Sequence, residues 1–250
     1  KITDIPNISI LLKKFSINKI FIFYPSPRLY IAAKLAGIKN VYSYPLFRKK
    51  NLHLVNAANK FTCESLNIDS CPTETKFFID HKKIDHAKKY FTKDNYNIVI
   101  GAGSSGPDTR WGEKNFISLI NKLNAIGNYY FYIQCGPEQN EISKNIINKI
   151  EKKNCMDLSK MNISEIIPIL SLCDMYVGND SFSHHITSQC NKPSIVLLLN
   201  SPKAYSDYSK NHHRIIPENA KLEELDHSSN YSASSIGIEK VLNKVLELKN

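Results

Sequence analysis

Asn97-Ile98-Val99-Ile100-Gly101-Ala102-Gly103-Ser104-Ser105-Gly106 is the stretch that decides the fold. Asn97 to Ile100 reads as a strand, and it opens at once into a glycine- and serine-rich loop. Downstream, Phe116, Leu119, Ile120 and Leu123 recur at helical spacing within residues 113–126, and Gly127 supplies the stop. Tyr129 to Gln134 reads as a strand, and residues 139–152 as a helix striped by Ile142, Ile146, Ile147 and Ile150. Ser164 is placed to cap a short helix through Leu170. Met175-Tyr176-Val177 is a strand, 183–190 a helix, Ser194 to Leu199 a strongly apolar strand and 235–248 a closing helix. Strand and helix alternate at βα spacing. That predicts an α/β, Rossmann-like architecture of mostly parallel sheets with helices on both faces. In such sheets a ligand sits beyond the C-terminal ends of the strands, so the residues just after each strand are the informative ones.

Toward the N-terminus the pattern is less regular. Ile20 to Phe23 makes a short strand that ends at Tyr24-Pro25-Ser26-Pro27, and Leu29, Ala32, Ala33, Leu35 and Ala36 suit the next helix. Gly37 suits its end. Val41 to Tyr44 is a strand stopped by Pro45, residues 51–67 a helix, Phe77 to Ile79 a brief strand and 81–90 a basic helix. Composition and pattern both change near residue 90. The boundary is placed at 87–96, giving domains 1–90 and 91–250.

The chain has 250 residues, 42% hydrophobic and 22% charged, which excludes wholesale disorder. Its six cysteines form no C-x-x-C pair, against a zinc ribbon or a thioredoxin-type centre. No apolar run is long enough for a membrane span, and no signal peptide is visible, so a cytoplasmic setting is expected. The net charge of +10 lies wholly in residues 1–90, which carry 16 Lys/Arg against 6 Asp/Glu. Such a field attracts anionic partners, including a membrane surface or a phosphorylated glycolipid; its plainer meaning is a solubilising surface. A nucleic-acid partner would need basic and aromatic residues interleaved, and that pattern is missing.

Four loops follow four strands. In the first, Gly103, Ser104 and Ser105 let backbone and hydroxyls approach a phosphate, and Arg110 adds a fork of donors ahead of Trp111. No Gly-Lys-Ser/Thr follows, so this is no P-loop, and a flexible turn is the plain alternative. In the second, Cys135-Gly136-Pro137-Glu138, the carboxylate of Glu138 either accepts from ribose hydroxyls or offsets a helix dipole. The third, Val177-Gly178-Asn179-Asp180-Ser181-Phe182-Ser183-His184-His185, is the sharpest. Ser181 or Ser183 begins a helix whose free N–H groups suit a diphosphate. Asp180 would repel phosphate and is read as fixing the turn by accepting backbone N–H bonds. His184 and His185 are adjacent and cannot share one helix face, so no metal site is expected; each donates to phosphate or serves as a cap. The fourth, Leu199-Asn200-Ser201-Pro202, turns beside the same crevice. Asn211-His212-His213-Arg214 reads as an exposed loop without a role.

The stretches GAGSSGPDTRW, YYFYIQCGPEQNE and VGNDSFSHHITSQCNKPSIVLLLNSP, in that order, resemble glycosyltransferase family 9, the heptosyltransferases of lipopolysaccharide core assembly. The resemblance covers residues 96–216, and more loosely 18–67. It implies a GT-B architecture, two Rossmann-like halves facing across a cleft. It further implies an inverting, metal-independent transfer from a nucleotide-diphosphate sugar, usually ADP-heptose, to a lipid-linked or oligosaccharide acceptor, with no cofactor. By the same resemblance Ser104 and Ser105 contact donor phosphate, Arg110 stabilises the leaving group and Glu138 takes the ribose hydroxyls. Asp180, Ser181, Phe182, Ser183 and His185 make the diphosphate turn.

The chain departs from that pattern in four places. Thr109 stands where the family usually has Lys, and Phe182 where it has Gly. The late strand ends in Asn200-Ser201-Pro202 instead of Gly-Pro-Thr. The family's opening strand and Gly-Asp loop, which carries the expected general base, have no counterpart. About 80 residues of βα units are missing from the pattern, so a partial N-terminal half or a degenerate relative is expected. None of Asp4, Glu64, Asp69, Glu74, Asp80 and Asp85 can be promoted to base. A nucleotide- or glycan-phosphate-binding relative without turnover is the alternative.

Overall fold

A computed structural model describes residues 4–44, 54–72, 77–92 and 94–249. Pro45, the first three residues of the helix expected over 51–67, and Glu74 lie outside the described residues. The chain forms two compact units, Lys1–Thr73 and Glu74–Asn250.

In the first unit, α1 (Ile5–Lys14) precedes β1 (Lys19–Ile22), α2 (Pro27–Leu35), β2 (Asn40–Ser43) and α3 (Leu54–Leu66). Pro27 opens α2 where its missing N–H costs nothing, and the Ser26 hydroxyl accepts from the Leu29 N–H at 3.3 Å. Gly37 follows at φ +81°, the left-handed turn that a side chain disfavours. β1 and β2 pair in parallel, Ile20 opposite Val41. Tyr44, Ala57 and Phe61 form a small core, with Phe21 stacked on Tyr42 at 4.8 Å.

The second unit carries the predicted alternation. α4 (His81–Ala87) leads into β3 (Tyr96–Gly101), α5 (Glu113–Asn124), β4 (Tyr129–Gln134), α6 (Asn140–Ile147) and β5 (Cys155–Asp157). Then come α7 (Ile163–Leu172), β6 (Met175–Asn179), α8 (Phe182–Gln189), β7 (Ser194–Leu197), β8 (His212–Ile215) and α9 (Ile238–Lys249). The six strands are all parallel, in the order β5-β4-β3-β6-β7-β8. Along β3, Ile98 and Ile100 pack on one side with Phe116, Leu119, Ile120 and Val241, while Val99 packs on the other with Tyr132, Ile169 and Leu170. Both faces are buried, which is why the strands read as unbroken apolar runs. Ala87 of α4 belongs to the second of these clusters, so the helix sits with the C-terminal unit and the division falls before it.

The structure departs from the sequence reading at five elements. Residues 77–79 are not a strand. α1, β5 and β8 form where none was expected. α7 starts from Asn162, whose backbone N–H donates to the Glu165 carboxylate at 3.1 Å, and not from Ser164. β8 is the largest correction. The stretch read as an exposed loop is an edge strand with His212 and Ile215 buried on opposite faces, since residues three apart point to opposite sides of a strand and both faces are covered.

Candidate functional site

The order of strands reverses between β3 and β6: β4 and β5 continue on one side of β3, β6 to β8 on the other. At that point Gly101 and Gly178 lie opposite each other. Neither has room for a side chain. A Cβ on Gly101 would stand 2.0 Å from the Tyr176 hydroxyl oxygen, and one on Gly178 2.5 Å from the Gly101 carbonyl oxygen. Fully buried Tyr176 fills the space that the two glycines leave. Its hydroxyl donates to the Asn179 carbonyl at 2.6 Å and sits 3.1 Å from the Ser181 hydroxyl, so it braces the turn after β6 from beneath. Asn179 ties that turn to the loop after β3. Its Oδ1 accepts from the Trp111 N–H at 2.8 Å, and its Nδ2 donates to the Ala102 carbonyl at 2.8 Å. The sequence reading gave Tyr176 and Asn179 no such roles. The one available signal was Gly178, two residues after a tyrosine at a strand end.

A cavity of about 480 Å³ opens beyond these strand ends. Gly103, Ser104 and Ser105 form one wall, and Gln134, Gly136 and Gln139 a second. Asp180, Ser181, Phe182 and His185 close it, with Tyr205 at the side. Seven of the ten expected binding residues are therefore brought together. Ser105 is exposed to the cavity, whereas Ser104 is buried, and its hydroxyl is spent on the Gly106 carbonyl and on Thr109 Oγ1, both at 2.8 Å. Thr109 Oγ1 lies 2.9 Å from the same carbonyl, so the two hydroxyl protons are shared among the three contacts. The helix after the sharpest loop is α8, entered from Ser181, so its first free N–H groups belong to this wall. Phe182, 36% exposed, presents its ring there.

Three expected residues fall outside. Ser183 is fully buried behind the wall with no hydrogen-bond partner on its hydroxyl. Glu138 is exposed in the turn Pro137–Gln139, and Gln139 takes the inward place, donating from Nε2 to the Ser104 carbonyl at 2.7 Å. Arg110 lines a neighbouring cavity of about 630 Å³ with Trp111 and Lys114, and its Nη2 donates to the Ser104 carbonyl at 3.3 Å. Its Nε is buried without a hydrogen-bond partner. Arg110 and Gln139 thus hold one carbonyl of the glycine-rich loop from two sides. Asn200, expected beside the crevice, instead fastens the loop ends, donating to the Asp108 carbonyl at 2.7 Å and the Tyr231 carbonyl at 3.0 Å.

The electrostatics centre on Asp180. Its carboxylate does not accept the expected backbone bonds; it accepts from His184 Nε2 at 2.7 Å. His184 Nδ1 lies 3.3 Å from His212 Nε2, and His185 Nδ1 is hydrogen-bonded to the Tyr208 hydroxyl. Burial, helped by the neighbouring histidines, lowers His185 to about 4 and His212 to about 3 from an ordinary 6.5, so both are neutral at pH 7. Contrary to the expectation from their adjacency, His184 and His185 do meet, with ring centroids 3.7 Å apart. Their ligating atoms and that of Asp180 lie within 4.8 Å, a spacing that could hold a cation. The hydrogen bonds already described satisfy both nitrogens of His184 without one.

Comparison with known proteins follows the same loops. The family model described as glycosyltransferase family 9 (heptosyltransferase) matches residues 36–233. A curated relative, lipopolysaccharide heptosyltransferase 1 of Campylobacter coli, is 27% identical over 184 residues, 70% of this chain. The match spans 54% of that relative's length. Among solved structures, E. coli ADP-heptose lps heptosyltransferase II superposes with a TM-score of 0.75 at 15% identity, covering 99% of this chain and 81% of its own. A family 9 glycosyl transferase from Veillonella parvula gives 0.79 at 18% identity, covering 98% and 78%. These likenesses place the two parallel sheets and their helices in the GT-B type of fold.

Proposed function

Because the chain belongs to glycosyltransferase family 9, we propose that it binds a nucleotide-diphosphate sugar in the cavity at the β3–β6 reversal and transfers the sugar to a glycan acceptor. One observation carries this reading. The cavity joins a glycine-rich loop, an exposed serine and a helix N-terminus at the switch point of a parallel sheet, a combination suited to a diphosphate. Gly103, Ser105, Ser181 and the start of α8 face the phosphates in this reading, with His185 as a neutral donor. Arg110 and Gln139 act one step back, holding the loop in shape. An ADP-heptose-like donor and a lipopolysaccharide-core-like acceptor follow from what the relatives are called. The basic excess of residues 1–90 suits an acceptor bearing phosphate and an anionic membrane surface. No helix among the described residues is long and apolar enough to cross a membrane.

The transfer we propose is inverting and needs no metal. The acceptor hydroxyl oxygen bonds to the anomeric carbon as the bond from that carbon to the diphosphate breaks. The hydroxyl proton passes to a base, and negative charge grows on the departing diphosphate. Ser105 and the α8 N–H groups meet that charge. Purified protein should bind ADP equally with and without EDTA in calorimetry, and should release ADP from ADP-heptose when a core oligosaccharide is supplied. A strict requirement for magnesium would overturn the metal-free reading.

A second reading, nucleotide binding without turnover, is favoured by four of the five described acids in residues 4–92, which are held by neighbouring groups. Asp4 pairs with Arg28 at 3.3 Å, Glu64 with Lys60 at 3.9 Å and Asp85 with Lys88 at 2.7 Å. Asp80 accepts from the Lys82 N–H at 2.9 Å as it caps α4. ADP binding without ADP release in the same assay would select this second reading.

A further inference from the structure

Behind the cavity wall runs a line of buried polar groups that the reading above does not use. It begins at Asp180, whose side chain is 11% exposed, passes through fully buried His184 and ends at His212 on β8. We propose that His212, acting through His184, is a positioning residue that fixes the Asp180 carboxylate on the cavity wall by a single proton order.

The order follows from donor and acceptor counting. An ionised carboxylate only accepts, so at 2.7 Å His184 Nε2 must carry the proton. A neutral His184 then has a bare lone pair at Nδ1, 3.3 Å from His212 Nε2, and His212 must donate there. That leaves His212 Nδ1 as a lone pair, and it is the buried nitrogen without a hydrogen-bond partner. In the opposite order His184 is a fully buried cation, a cost that the first order avoids by keeping both rings neutral. The first order leaves only an unused acceptor. Two ring N–H dipoles then point in series at Asp180 and hold its carboxylate in one rotamer.

The surroundings keep the line rigid. Tyr208 packs edge-on against His212 at 4.8 Å and stacks on His185 at 5.8 Å, while Tyr176 lies 6.2 Å from His184 on the sheet side. Arg214, two residues along β8, donates to the Ser206 carbonyl at 3.0 Å and pins the loop that covers His212. A carboxylate fixed in this way cannot swing across the first turn of α8. That turn's N–H groups therefore stay open to the ligand, and a free carboxylate there would repel a diphosphate. This consequence rests on the nucleotide reading of the cavity; the proton order does not.

Long-range ¹H–¹⁵N spectra of the histidine rings test the order in the full chain. His184 and His212 are both expected as the Nε2–H tautomer, with the His184 proton slow to exchange. In His212→Phe, Asp180 still holds the proton on His184 Nε2, but Nδ1 loses its donor; the Nε2 proton should exchange faster, and ADP should bind on the order of tenfold more weakly by calorimetry. His212→Gln keeps a side-chain N–H donor and should restore most of both. An Nδ1–H tautomer at His184 in the unaltered protein would overturn the proposal, as would a His212→Phe variant with unchanged proton exchange and affinity. If the unaltered protein shows the expected tautomers but does not bind ADP, the nucleotide reading fails and the positioning of Asp180 stands.

Discussion

At the scale of single residues, the loop after β3 shows how a substitution can be absorbed. Thr109 stands where the family usually places Lys, and the sequence presents this as a missing positive charge. In the structure its hydroxyl closes a bracket with Ser104 and the Gly106 carbonyl. Thr109→Lys would break that bracket before it offered any charge to a phosphate. Arg110→Ala removes a charged donor from the Ser104 carbonyl, a loss of about 1.5–3 kcal/mol in loop ordering. ADP affinity should fall about tenfold or more, the melting temperature should drop by several degrees, and adding Thr109→Lys should restore neither. Paired calorimetry and thermal melts check both points; recovery in the double variant would show that the two positions share one phosphate. Ser105 and the Ser181 turn were legible from residue type and spacing alone. The placements of Arg110 and Glu138 were not, because which of two adjacent loop residues turns inward depends on partners elsewhere in the fold: Gln139, not Glu138, reaches the Ser104 carbonyl.

At the scale of elements, legibility followed length and burial. β3, β4 and α5 were readable almost to the residue, since each combines strong periodicity with a cap or a glycine stop. β5 and β8 escaped because each is a short edge strand of three or four residues with polar positions. Edge strands gain order from pairing with a neighbour already in place, not from their own sequence. α1 escaped because its apolar residues are largely exposed, Ile10 and Leu11 by more than half. The same contrast sets local stability. Amide exchange should be slowest in β3, β4, β6 and β7, which are paired on both sides, and faster in β5 and β8. The two-stranded β1–β2 sheet should exchange fastest of all. Hydrogen–deuterium exchange followed by mass spectrometry measures this ranking, and equal protection in β8 and β3 would refute it.

At the scale of the whole molecule, the fold shows up in its response to acid. His185 and His212 are held neutral in the folded state down to about 4 and about 3, whereas an unfolded chain protonates them near 6.5. Their contribution to stability is complete above about pH 6.5 and is lost progressively as the pH falls toward 3, because only the unfolded state takes up the protons. Each unit of depression corresponds to about 1.4 kcal/mol, so the loss is on the order of a few kcal/mol. Melting temperatures between about pH 7.5 and pH 4.5 should fall steadily with acid; a flat profile would mean that these rings are not shielded.

Trp111 has a practical consequence of another kind. It is the chain's single tryptophan, fully buried, with its indole N–H on the Ile236 carbonyl at 2.8 Å and its backbone N–H on Asn179. The protein therefore carries one native fluorophore, located where the loops after β3 and β6 are stitched together. Its emission should be blue-shifted in the native state and should redden when the C-terminal unit opens. Events confined to residues 1–73 should leave its emission unchanged, so an optical melt set beside a calorimetric one would tell the two units apart without any label.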